Sequence, residues 1–142
     1  MGAKPIKEKY PDFLLQKSHK IYVVTCDGNN YVKVGYTSQS IVAGVWKRYR
    51  SAYGKDQIIV RIFPCSFFKE DEKIHAILHS QYGVVEKGRE IYSKKNLSSI
   101  LSFLEKWCSS TGFGPYSRSD ISYLRSIENI TDCIDGIEFL CL

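Results

Sequence analysis

Apolar and polar positions alternate over residues 20–35, KIYVVTCDGNNYVKVG, on both sides of the cluster Asp27-Gly28-Asn29-Asn30. The alternation predicts two short β-strands joined by a tight turn, because β-branched and aromatic residues flank four residues that favour left-handed conformations. With those four as the loop, Cys26 faces Tyr31, Val24 faces Lys33, and Tyr22 faces Gly35. The period of two puts all six on one face and Ile21, Val23, Val32 and Val34 on the other, which is the apolar one and is expected to lie on the core. A lysine and a phenol then share the face turned away, and Gly35 opposite Tyr22 leaves room beside the phenol for a phosphate or another backbone.

Downstream the period changes to that of helices. Hydroxyls over residues 37–40 can cap a helix from about 41 to 53. At about 100° per residue, Ile41, Val45, Tyr49 and Ala52 form its buried stripe, Arg48 leans inward about 20° from Ile41, and Lys47 and Arg50 point outward. A third, mostly buried strand is expected over 58–63, stopped by Pro64. The next helix, from about 70 to 82, carries Ile74, Ile77, Leu78 and Tyr82 inward, with Glu72, His75 and His79 grouped on one flank. Gly83 stops it. Asn96 is positioned to cap an amphipathic helix of Leu97, Ile100, Leu101, Leu104, Trp107 and Cys108. Ser117-Arg118-Ser119-Asp120 resembles a capping box opening a last helix through Ile121, Leu124 and Ile127.

A chain of 142 residues, 44% of them apolar, fits one compact domain with a real core. The expected organisation is a basic arm over 1–19, a domain over 20–108 and a carboxy-terminal extension over 109–142 packed on that domain. The extension ends in an apolar segment, residues 137–142, that suits packing on the domain or a homodimer contact. Twenty Lys and Arg against fifteen Asp and Glu give +5, which favours an acidic partner such as nucleic acid. Five widely spaced cysteines, with no CxxC pair, read as reduced thiols of an intracellular protein. No apolar run has transmembrane length, so no membrane partner is expected.

Lys20-Ile21-Tyr22 and Lys33-Val34-Gly35, with residues 23–32 between them, resemble the two tripeptides of the GIY-YIG endonucleases. Lys20 stands for the first glycine and Lys33 for the second tyrosine. The Lys-hydrophobe-Gly form, followed by Tyr36 and Thr37, is similar to a divergent branch common in phage and large-virus proteins. Trp46-Lys47-Arg48-Tyr49 resembles the family segment whose arginine reaches the scissile phosphate. Gly88-Arg89-Glu90-Ile91-Tyr92 resembles the turn that closes the divergent branch. The likeness covers about residues 20–107.

The resemblance implies an α+β fold, a small three-stranded antiparallel sheet with helices packed on it, and metal-assisted hydrolysis of DNA phosphodiester bonds. Tyr22 is expected to orient or deprotonate water, Lys33 to lower the phenol's pKa or hold the phosphate, and Arg48 to neutralise phosphoryl charge. Tyr36, Lys47 and Arg50 are expected on nucleic acid. Aligning Ile74, Leu78 and Tyr82 with the family pattern puts His75 where the metal-binding glutamate belongs. Imidazole is a poor ligand for Mg²⁺, so Glu72, Glu90 or another residue must supply oxygen to Mg²⁺ or Mn²⁺, or His75 acts as a proton carrier, or the usual chemistry is lost. His75, His79 and Glu72 also form part of a zinc-like set, against the plain reading of two half-buried histidines. Two other functions remain open: a non-cleaving module that holds nucleic acid through the same cations, and a protein-interaction domain.

Overall fold

The computed structural model describes residues 11–66, 69–83, 85, 88 and 90–128. The first half of the expected basic arm and the apolar end, 129–142, with the homodimer contact placed there, lie outside the described residues. Strand β1, Lys20–Cys26, and strand β2, Tyr31–Thr37, form the expected hairpin, with Tyr22 opposite Gly35 and Val24 opposite Lys33. Strand β3, Gln57–Pro64, pairs with the other edge of β1.

The expected three-stranded sheet is corrected by a fourth strand. Residues Ile91–Ser93, β4, pair antiparallel with Tyr31, Val32 and Lys33 of β2, giving the order β3-β1-β2-β4. Pairing satisfies backbone groups that β2 would otherwise leave at an open edge. The far edge of β3 is covered as well. Phe113 and Ile62 exchange backbone hydrogen bonds at 2.8 and 2.9 Å, and Tyr116 and Ile59 at 2.8 and 3.1 Å.

Helices cover both faces of the sheet. Helix α1 starts with a π turn, Val42–Trp46, and continues as regular α-helix over Lys47–Tyr53. It packs with Leu14, Ile121 and Leu124 over Tyr22, Val24, Ile59 and Ile62. Ile121 and Leu124 come from helix α4, which runs over 118–128. Helices α2, Lys69–Tyr82, and α3, Leu97–Cys108, cover the opposite face, where Ile74, Leu78, Ile100 and Leu104 meet Ile21, Val23, Val32 and Val34. The expected core face is therefore correct, but the face carrying Tyr22 is a second core. Each fully buried aliphatic side chain contributes about 1.5–3 kcal/mol.

A bulge in the β1–β3 pairing, between Val23 and Val24, aligns the two layers. Ile59 and Ile62, three apart, would face opposite ways in a regular strand; the extra residue sends both into the α1 layer. The caps divide. Asp120 Oδ2 accepts the Ser117 N–H at 2.9 Å, the side-chain-to-N-cap half of the expected capping box, and Ser40 Oγ accepts the Ala43 N–H at 3.3 Å. Asn96 makes no side-chain cap, because a 3₁₀ turn, Lys94–Asn96, leads directly into α3.

Candidate functional site

Tyr22 extends from β1 across Gly35, where a Cβ would stand 2.3 Å from its hydroxyl oxygen. The space expected for a phosphate is thus filled by the phenol itself. Its hydroxyl meets that of Tyr49 on α1 at 2.5 Å, and Tyr22 is 1% exposed. Burial, then the hydrogen bond with Tyr49, raises its pKa well above the ordinary phenol value, against a smaller lowering by Arg48. This reverses the expected direction, in which Lys33 promotes the phenolate. Burial is the main reason, and Lys33, expected to oppose it, is paired with Glu90, whose charge adds slightly to the rise.

Arg48 was expected to lean inward and is exposed, as is Ala52 of the same predicted stripe. The π turn adds about one residue to the first turn, so everything after it is rotated relative to a regular wheel. Val42 and Trp46 are buried instead, beside Ile41 and Val45. Arg48 places its guanidinium 5.8 Å from the centroid of the Tyr49 ring. Tyr22 and the charges of Arg48 and Glu90 thus stand within electrostatic reach of one another, with Tyr49 covering the phenol.

The more open chemistry lies at the outer edge of β2. Helix α2 turns Asp71 and His75 toward Glu90, whose carbonyl accepts the Val34 N–H at 3.0 Å just beyond the end of β4. His75 Nε2 lies 3.1 Å from Asp71 Oδ1 and 3.7 Å from Glu90 Oε1, while the other oxygen of Glu90 accepts from Lys33. One ligand atom from each of Asp71, His75 and Glu90 falls within 4.8 Å of the others, so the three could hold a metal ion. Their cavity of about 350 Å³ is also lined by Glu72, Ala76 and His79.

The donor set fits a metal. Asp71 Oδ1 and His75 Nε2 are buried 3.1 Å apart and neither makes a hydrogen bond, so a cation held by both would satisfy them together. His75 Nδ1 shares a 2.6 Å hydrogen bond with the Tyr92 hydroxyl, and the two rings stack at 5.8 Å. When Nδ1 carries the proton and donates it to Tyr92, Nε2 offers a lone pair to the cluster, as ligating histidines do. Burial, followed by the charges of Glu90 and Asp71, raises the Tyr92 pKa and keeps that hydroxyl protonated.

Of the expected metal residues, Glu90 is in this cluster and Glu72 is exposed at its rim. Asp71 occupies the position given to Glu72. The signal was its spacing: on a helical wheel Asp71, four before His75, lies about 40° from it, against about 60° for Glu72. His79, whose ring stands 5.9 Å from that of His75, lines the same cavity, but the ligand atoms that group together among the described residues are those of Asp71, His75 and Glu90. Tyr36 is half-buried and bonded to His19, with its pKa raised chiefly by burial. Lys47 and Arg50 are exposed on α1. No family model, curated protein or solved structure matches the chain.

Proposed function

We propose that this protein is a metal-assisted phosphodiesterase acting on nucleic acid, DNA in the first instance, in the manner of the GIY-YIG enzymes its hairpin resembles. The observation that carries the reading is the convergence of Asp71, His75 and Glu90 beside Lys33, where β2 pairs with β4. A divalent ion held by these three would supply Lewis acidity toward a phosphate oxygen. Lys33, released in part from Glu90, would hold a non-bridging oxygen, and Arg48, exposed and unhindered, would offset the charge that grows on the phosphoryl group. Tyr22 serves this arrangement as a protonated, buried strut that holds β1, β2 and α1 together. The phenol is not the base in this reading, because its burial opposes ionisation.

Supercoiled plasmid incubated with the protein and Mn²⁺ tests the proposal. Nicking is expected, with rates lower by roughly a hundredfold or more in His75→Ala and Arg48→Ala. Plasmid left intact with Mn²⁺, Zn²⁺ and Mg²⁺ in turn overturns it. A second reading, a module that binds nucleic acid without cutting, is favoured by the enclosure of Tyr22; gel retardation without nicking would select it.

A further inference from the structure

Apart from the Asp71 cluster, the molecule has a cleft of about 240 Å³ between α1 and α4, lined by Trp46, Arg50, Lys55, Arg118, Ser122 and Arg125, with Gly54 and Ile121 completing the wall. Four of these residues are cations and none is an acid. Arg118, Ser122 and Arg125 follow one another at spacings of four and three, so they share one face of α4. Arg50 sits in the last turn of α1, and Lys55 follows Gly54, whose positive φ of 58° ends that helix. All four cations are exposed, and among the described residues none has an ion pair. Like charges gathered around one concavity repel, and an anion seated among them would turn that repulsion into attraction.

We propose that this cleft binds the phosphate backbone of a nucleic-acid strand, with Arg50, Lys55, Arg118 and Arg125 as its phosphate contacts. The proposal rests on the reading that the protein acts on nucleic acid, and assigns it a second contact surface on the α1–α4 layer. The lining favours a strand over a free nucleotide. Its one aromatic, Trp46, is 8% exposed and offers no open ring face on which a base could stack. The volume also falls below the roughly 300 Å³ at which small-molecule pockets begin. What the cleft presents is clustered positive charge with no acid among it, the chemistry of phosphate-backbone contact.

The test is fluorescence anisotropy of a labelled duplex oligonucleotide with the full chain in EDTA, so that the metal cluster plays no part, repeated across a salt series. Arg118→Gln/Arg125→Gln is expected to bind about tenfold more weakly, with a log-affinity against log-salt slope shallower by roughly one to two. Lys55→Gln, an exposed change outside regular helix, should reduce the slope by about one and guards against misfolding of the double variant. Variants that match the wild type in affinity and slope overturn the proposal, as does a wild-type chain that binds no oligonucleotide. The two readings fail separately. If plasmid stays uncut while these cations govern binding, the cleavage reading falls and the cleft stands; if the variants bind as wild type while nicking persists, the reverse holds.

Discussion

The Tyr22–Gly35 pair shows what a single position contributes. A Cβ at residue 35 would stand 2.3 Å from the Tyr22 hydroxyl oxygen and 2.4 Å from Cζ, and the ring cannot retreat because Tyr49 holds its hydroxyl. Gly35→Ala is therefore expected to cost about 1–3 kcal/mol, read as a lower urea midpoint. The same phenol sets an alkaline limit. Its native pKa is raised above the ordinary value of about 10, so above that pH the unfolded chain releases a proton that the folded chain retains. The unfolded state then binds fewer protons at this group, and the Tyr22 contribution to stability, constant below about pH 10, declines as pH rises beyond it. Tyr22→Phe should remove its share of that decline, to which Tyr92, Cys65 and Cys108, raised chiefly by burial, also contribute and which Lys20, lowered by burial, opposes; it should also cost about 1 kcal/mol at neutral pH from the lost hydrogen bond. Urea titrations of both proteins at pH 8 and pH 10.5 measure the difference. Alternation along the strands was enough to read that Tyr22 faces Gly35. It could not say whether that face is covered, because the covering groups, Tyr49 and Leu124, are distant in sequence.

Among elements, legibility followed length and regularity. Helix α3 repeats its apolar positions over Leu97–Cys108 and was read to its bounds. Strand β4 is three residues long, too short to show alternation, and only its pairing with β2 makes it a strand. Helix α1 was located but misphased: an ordinary wheel cannot represent a π turn, so Arg48 was turned inward when the helix exposes it. Gly44 permits the closeness of that turn to β2, since a Cβ there would meet Thr37 Oγ1 at 2.1 Å. The capping box of α4, by contrast, is local chemistry, and the sequence displayed it fully. Ser117 N–H and Oγ both donate to Asp120 Oδ2, at 2.9 and 3.1 Å. Asp120→Ala should destabilise the protein by about 1 kcal/mol. Amide exchange should also quicken at Ile121, whose N–H donates to the Ser117 carbonyl in that first turn; unchanged exchange there would show that packing of Ile121 and Leu124 alone fixes α4.

At the scale of the molecule, the metal cluster exists because β4 closes the sheet on the side where α2 crosses it. Helix α2 brings Asp71 and His75, the chain entering β4 brings Glu90, and β2 brings Lys33 to the same carboxylate. No single stretch of sequence holds this arrangement, and the resemblance pointed to His75, Glu90 and Lys33 but not to Asp71. The placement of Lys33 makes binding and turnover separable. Its ammonium competes with a cation for Glu90 and repels any ion held there. Lys33→Met should therefore bind Mn²⁺ several-fold more tightly, whereas His75→Ala should lose binding. Calorimetric titration gives both affinities directly, and thermal melting gives a second readout, since an ion at a hundred times its dissociation constant stabilises the native state by about 2.7 kcal/mol. If Lys33 also holds the substrate phosphate, the variant with the tighter metal will nick plasmid more slowly than wild type. Binding and nicking that rise together would instead reduce Lys33 to a structural partner of Glu90 and leave the phosphate contact to Arg48 on α1.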